Sequence, residues 1–424
     1  MSNFILEVAM RRALPLLFSL CLVFALSAGA VSAQEPVQLT FWNYWDGNNG
    51  EAIQGLVDQF NAEHPDIQVE NVFFGWGELL PRLQTAAAGG DAPDIAAVDM
   101  AWMPLLANSG KVLALDSRIE AAGIDLSDFY PSLLNVNRYN DQLFGLPVST
   151  NNLELFINND LFTAAGLDPA TPPTTWDELA AAAEACADPD QGIVGMELYT
   201  QPGEGLTWQF QVYLWQAGGA FLSEDNTAAA FNSEAGAQAL DYWKSLIDSG
   251  ASALVPWGLF EQGKACMRMD GSWMVSILGE QAPFAFSTAQ MPIPEGGQPA
   301  TNMGGEHLVV FDKADDARAD AAFTFIEWLT SSEVQVTWDQ QTAFMPIRAS
   351  VAENADYLAW ISETEPRLQA FVDSQQYAIN RPSVAVYAEL SDVFSANIER
   401  ALYGQVTTAD ALDAAEVAVN ALLR

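Results

Sequence analysis

Strand-like and helix-like segments alternate at short intervals between residues 37 and 99, and this alternation leaves the chain few folds to choose from. Val37-Gln38-Leu39-Thr40-Phe41-Trp42 alternates apolar and polar residues as a strand does. A helical stripe follows at Ile53, Leu56, Val57 and Phe60 and stops before Pro65. Ile67 to Phe74 reads as a strand, Leu79 to Ala88 as a helix ended by Gly89, and Asp94 to Val98 as a short apolar strand ending at Asp99. Strands separated by single helices predict an α/β protein with a largely parallel sheet. Ligands of such sheets sit beyond the carboxyl ends of the strands, which points at Asn43 to Asp46 and at Asp99 to Trp102.

The N-terminus has the three parts of an export signal: Arg11-Arg12, an apolar run from Ala13 to Leu26, and the small-residue site Val31-Ser32-Ala33. The run is shorter than the ~20 residues a spanning helix needs. Cys21 lies inside the run and follows Leu20, which does not fit lipid attachment. Residues 1–33 are therefore expected to be removed, placing the remainder in a periplasm or on the extracellular face of the cell membrane.

The 424 residues carry 16 Lys+Arg against 55 Asp+Glu, a net charge of −39 that disfavours nucleic acid and anionic membrane surfaces as partners. A chain this long splits into at least two compact units, because single cores stop growing at ~250–300 residues. Beyond the export signal only Cys186 and Cys266 remain, and sequence leaves open whether they pair. With two histidines, His64 and His307, and no Cys/His ligand spacing, neither a metal site nor a cofactor is expected.

Gly145 to Leu179 reads as a crossing between such units. Apolar Leu146-Pro147-Val148 runs into polar Ser149-Thr150-Asn151-Asn152, and Leu153, Leu155 and Ile157 then alternate as a half-buried strand. A short helix closed by Gly166 follows, and Thr175-Trp176-Asp177-Glu178 is a capping box opening an Ala-rich helix to Cys186. The same succession, LPVSTNNLELFINNDLFTAAGLDPATPPTTWDEL, resembles the extracellular solute-binding proteins (family 1) of ABC importers, among them maltose- and trehalose-binding proteins. The likeness extends to Phe260–Trp273 (FEQGKACMRMDGSW), Gly304–Val310 (GGEHLVV) and Phe323–Thr330 (FTFIEWLT).

That resemblance implies a two-lobe, periplasmic-binding-protein-like class II fold with a hinged interlobe cleft. The chain would build lobe 1 from residues 34–146 and 284–343, and lobe 2 from 147–283 and 344–424. It further implies a monomeric substrate-binding component that hands a neutral mono- or oligosaccharide to ABC transporter permease subunits, with no catalysis.

A sugar offers apolar C–H faces and a rim of hydroxyls, so its site needs flat aromatic plates and fixed polar groups. Trp45, Trp102, Trp208 and Trp273 stand at loops, whereas Trp42, Trp176, Trp215, Trp243 and Trp328 follow strand or helix patterns and are expected in the core. Asp46 and Asp99 follow strands and would accept hydroxyls; Arg348 and Arg381 would donate through a planar fork, an ion pair with a neighbouring acid being the other reading. By resemblance Ser149 and Asn151 contact ligand, although family members often carry an acid where Asn151 stands. Gly304-Gly305-Glu306 resembles a second cleft segment, with Gly305 and Glu306 as candidates and His307 read as structural.

Two rival classes remain. A secreted glycosidase would use a carboxylate pair such as Asp46 and Asp99. A binder of glycerol phosphodiesters would need a basic cluster, yet none of the four lysines, Lys111, Lys244, Lys264 and Lys313, falls in a proposed cleft loop.

Overall fold

The alternating segments form the elements their periodicity predicts. The computed structural model describes residues 35–279 and 282–424, so the expected export signal lies outside the described residues. Strand β1 (Val37–Asn43), helix α1 (Gly47–Glu63), β2 (Ile67–Phe73), α2 (Trp76–Gly89) and β3 (Ile95–Asp99) follow one another. Helix α1 begins at Gly47, directly after Asp46, and buries Ile53, Leu56, Val57 and Phe60 as its stripe requires.

The first sheet has five strands in the order β2-β1-β3-β10-β4, where β4 is Leu146–Pro147 and β10 is Glu306–Val310. β1 and β3 are parallel, with Phe41 opposite Ile95. β10 is antiparallel to β3 and to β4, His307 lying opposite both Val98 and Pro147. The expectation of a largely parallel sheet is thus corrected to a mixed one. β10 arrives from the second sheet rather than through a helix on the same face, so its direction is reversed.

The second sheet orders four strands as β8 (Phe286–Ala289), β5 (Leu153–Asn158), β7 (Ala265–Gly271) and β6 (Val194–Glu197). β8 and β5, and β5 and β7, are antiparallel, while β6 and β7 are parallel. Every residue of β5 and β7 is buried, although alternation predicted a half-buried β5. Both are interior strands packed on two faces, and there a polar residue survives only if its partners are buried with it. Phe286–Ala289 pairs with β5, so the second sheet continues past the return to lobe 1 expected at residue 284.

Helices cover this sheet: α3 (Trp176–Cys186), α4 (Glu204–Gln216), α5 (Glu234–Asp248), α7 (Tyr387–Leu402) and α8 (Thr408–Leu422). The Thr175 capping box forms as its sequence requires. Ser233 accepts from the Gly236 amide and opens α5 over buried Leu240 and Trp243. Cys186 at the end of α3 is disulfide-bonded to Cys266 in β7.

Between the sheets the chain crosses in adjoining strands. Thr150 bridges Met345, and Asn151 exchanges backbone hydrogen bonds with Gly304, 3.1 Å one way and 2.9 Å the other. β9 (Thr301–Met303) runs parallel to β11 (Ala378–Asn380). Few residues carry the connection, which is the arrangement of a hinge. Among the described residues, no helix is long and apolar enough to cross a membrane.

Candidate functional site

The crossings floor a cavity of about 430 Å³ lined from both sheets, within the roughly 300–1,000 Å³ of small-molecule sites.

Its first wall consists of loops at the carboxyl ends of β1, β2 and β3. Tyr44, Trp45 and Asp46 follow β1, Phe73 ends β2 with Gly75 and Trp76 after it, and Asp99 ends β3. Tyr44 and Trp102 meet edge to face at 5.8 Å, and Trp76 tilts over Trp102 at 5.5 Å. Trp102 itself lies behind this wall and is not among the cavity-lining residues. Asp46 is exposed at the mouth of α1, without a side-chain capping bond.

The second wall carries Trp208 from α4 and Trp273 at the start of α6 (Trp273–Leu278), stacked at 5.5 Å with their planes 11° apart. Gly271 makes this possible, since a Cβ there would stand 1.6 Å from the Trp273 ring. Tyr199 and Trp257, 5.1 Å apart, line the same side together with Glu204 and Asp270.

Arg381 stands at the floor, buried to 3% side-chain exposure. Its Nη2 reaches Asp99 Oδ1 at 2.5 Å and its Nη1 reaches Glu204 Oε1 at 2.9 Å. One guanidinium thereby joins an acid from each wall. Asp99 also accepts from the Ala101 amide at 2.8 Å. The guanidinium further lies 5.5 Å from the Trp208 ring.

Glu306 lines the cavity, accepts from the Tyr44 hydroxyl at 2.8 Å and pairs closely with the Ser149 hydroxyl. Burial pushes its carboxyl up to about 7 against those hydrogen bonds, with Asp99 raising it further. Gly305, at φ 143°, sits where a Cβ would press to 2.3 Å on the Ser149 carbonyl, so only glycine turns the chain here.

Of the residues singled out from sequence, the structure brings Trp45, Asp46, Asp99, Asn151, Trp208, Trp273, Gly305, Glu306 and Arg381 to the cavity. Ser149 is wholly buried behind it and orients Glu306. Arg348 is corrected: it stands outside the cavity, donating to the Thr330 carbonyl at 2.6 Å and to Asp128 at 3.2 Å, with its guanidinium 3.7 Å over Phe129. It is the structural ion pair that the scarcity of basic residues suggested. His307 is buried with Nδ1 2.5 Å from the Asn137 amide nitrogen, and burial followed by Arg381 lowers its pKa to about 3. Trp176, Trp215 and Trp243 are buried in the core.

Sequence reasoning pointed at Asn43 to Asp46 without singling out Tyr44, and it missed Phe73, Trp76, Tyr199, Glu204, Trp257 and Asp270. The strand-end rule, applied also to β2, β6 and β7, would have found Phe73, Trp76, Tyr199 and Asp270. Trp257 sits in irregular chain that carries no local signal. Among the described residues no cluster of His, Cys, Asp and Glu is arranged to hold a metal ion.

The sequence profile of the bacterial extracellular solute-binding proteins matches residues 44–336. The cyclic alpha-maltosyl-1,6-maltose binding protein from Arthrobacter globiformis is 44% identical, covering 92% of this chain and 99% of that one, with a TM-score of 0.79. A solute-binding protein of an ABC transporter from Thermotoga lettingae, bound with alpha-D-tagatose, superposes with a TM-score of 0.83 at 26% identity over 91% of this chain and all of that one. The sn-glycerol-3-phosphate-binding periplasmic protein of Pectobacterium atrosepticum is 26% identical over 435 residues, 95% of each chain.

Proposed function

The chain belongs to the bacterial extracellular solute-binding proteins, and from that premise we propose that it captures a neutral oligosaccharide between its two lobes and delivers it to the permease of an ABC importer. Its fold is the two-lobe, class II architecture of periplasmic binding proteins. The same kinship supports a binding role.

The observation that carries the sugar reading is a set of aromatic plates on both walls of a cavity that also offers five acids, together with amide and hydroxyl groups such as Asn151, Gln209 and Tyr199 that donate. Tyr44 and Trp76 stand on one side, Trp208, Trp257 and Trp273 on the other, with Asp46, Asp99, Glu204, Asp270 and Glu306 between them. Rings cover the C–H faces of a pyranose and carboxylates accept from its hydroxyls. Such a ligand gains contacts on both walls only when the lobes approach, and that difference biases the hinge toward closure.

A phosphorylated solute fits less well. Arg381 is the one cation among the lining residues, and Asp99 and Glu204 already hold it. Glycerol phosphate binding by one relative is therefore not carried over to this chain. The test is calorimetric titration, with Trp fluorescence, of the chain from residue 34 onward against malto-oligosaccharides, cyclic glucosides, single hexoses, sn-glycerol-3-phosphate and glycerophosphocholine. Micromolar or tighter binding of an oligosaccharide is expected. Tight binding only of the phosphorylated compounds, or turnover of a glycoside, rejects the reading.

A further inference from the structure

We infer that Arg268, which does not reach the cavity, is a positioning residue for the second wall: it sets Asp270 and the loop carrying Trp257 as one rigid unit for ligand to close upon. This rests on the reading of the cleft as a sugar site.

Arg268 lies in the middle of β7 with no exposed surface. An arginine in an interior strand is tolerated only if its charge is answered on the spot. Its Nη2 stands 2.9 Å from Asp270 Oδ2, and its Nη1 stands 2.7 Å from Glu261 Oε1 and 3.7 Å from Glu197 Oε2. Its guanidinium also lies 4.8 Å from the Trp257 ring and 5.0 Å from the Phe260 ring. One flat cation therefore touches both the acid and the plate that this wall presents.

Glu197, opposite Arg268 in the sheet register, completes the unit. Its carboxylate accepts the amides of Gly258 and Leu259 at 2.7 Å each and that of Phe260 at 3.0 Å. Three consecutive backbone donors converge on one side chain, so the irregular chain after Trp257 is held as firmly as an element end. Asp270 and Trp257 line the cavity, whereas Glu197, Glu261 and Arg268 stand behind it. The groups facing Asp270 are thus Arg268, which favours its ionised form, and Glu261 and Glu197, which oppose it. Burial comes first, holding Asp270 at about 6 even with the guanidinium beside it.

Removing the guanidinium deprives Asp270 of its counterion, so it keeps its proton to higher pH and, as a neutral acid, accepts more weakly from a ligand hydroxyl. The experiment titrates wild type, Arg268→Met, Arg268→Lys and Asp270→Asn with the tightest-binding oligosaccharide at pH 6, 7, 8 and 9. Arg268→Met should bind about ten- to a hundredfold more weakly at pH 6, as loss of a buried charged hydrogen bond does, and should recover part of that by pH 9. Asp270→Asn should be weakened, keep only the pH dependence that Glu306 at about 7 contributes, and show that same profile when combined with Arg268→Met. Arg268→Lys keeps the charge but not the fork, and should show an intermediate loss with the wild-type pH profile. Should Arg268→Met fail to fold, the lysine variant decides: affinity equal to wild type overturns the inference. A loss in Arg268→Met that is the same at every pH also overturns it, because that is what general loosening gives. Wild type that binds no sugar at all refutes the function proposed above instead.

Discussion

The two walls of the cleft are made of similar residues and held in opposite ways. The first is assembled from three consecutive strand ends, and its outer rings stand in solvent, Phe73 51% exposed and Trp76 40%. The second draws Tyr199, Trp208, Trp257, Asp270 and Trp273 from separate elements and backs them with a buried ion cluster and a disulfide. A sheet edge positions a wall for little, since each loop inherits its place from the strand before it. A wall gathered from distant segments needs further ties, here the Arg268 cluster and the disulfide, whereas on the first wall a buried ion pair holds Asp99 alone. The first wall is therefore the adaptable one and the second the template.

The largest effect of removing a single tie should come from the covalent one. Cys186 and Cys266 are 80 residues apart and anchor β7 to α3; replacing both by Ser should cost about 4 kcal/mol by loop-closure entropy. Urea unfolding checks this, and an unchanged midpoint would remove the tie from the contrast.

Next is pH. Burial raises Asp270 on the second wall to about 6, Glu306 on the first to about 7 and Glu154 near the hinge to about 8, all above their ordinary values. The folded protein thus keeps protons that the unfolded chain has released. Stability from these groups is complete below pH 4, falls as pH rises and levels off above each folded value, by up to about 1.4 kcal/mol per pH unit per group. Thermal melts from pH 5 to 8 should show the fall, with Glu306→Gln removing about 3 kcal/mol of it. A stability that rises over that window contradicts the assignment.

Trp273→Ala should lower oligosaccharide affinity about a hundredfold, as truncating a central aromatic anchor does, while circular dichroism stays unchanged. Trp76→Ala should cost only about five- to tenfold, because a ring already 40% in water has less to gain on binding. Equal losses from the two would erase the distinction between template and adaptable wall.

The legible part of the molecule follows the same division. Trp45 and Asp46 could be named because a period-2 pattern ends just before them, Asp99 because a short apolar strand ends at it, and Trp273 because Gly271 and the family motif precede it. Arg348 and Arg381 were indistinguishable in sequence, both scarce cations in an acidic chain. Distant acids separated them: Asp128 holds one outside the cleft, while Asp99 and Glu204 hold the other at its floor.

By itself the sequence determined the alternation of strands and helices, their caps, the crossing at Ser149 to Asn152 and the kinship with solute-binding proteins. These depend on neighbours within a few residues, where periodicity and capping act. Tertiary structure alone decided that β10 runs antiparallel, that β5 is buried on both faces, that the cysteines are bonded, and that Arg268 and Trp257 belong to the site. Each of those depends on which remote segment lies alongside. Burial then turns such a neighbour into a requirement, because a charge or an amide taken out of water must find its partner within the protein.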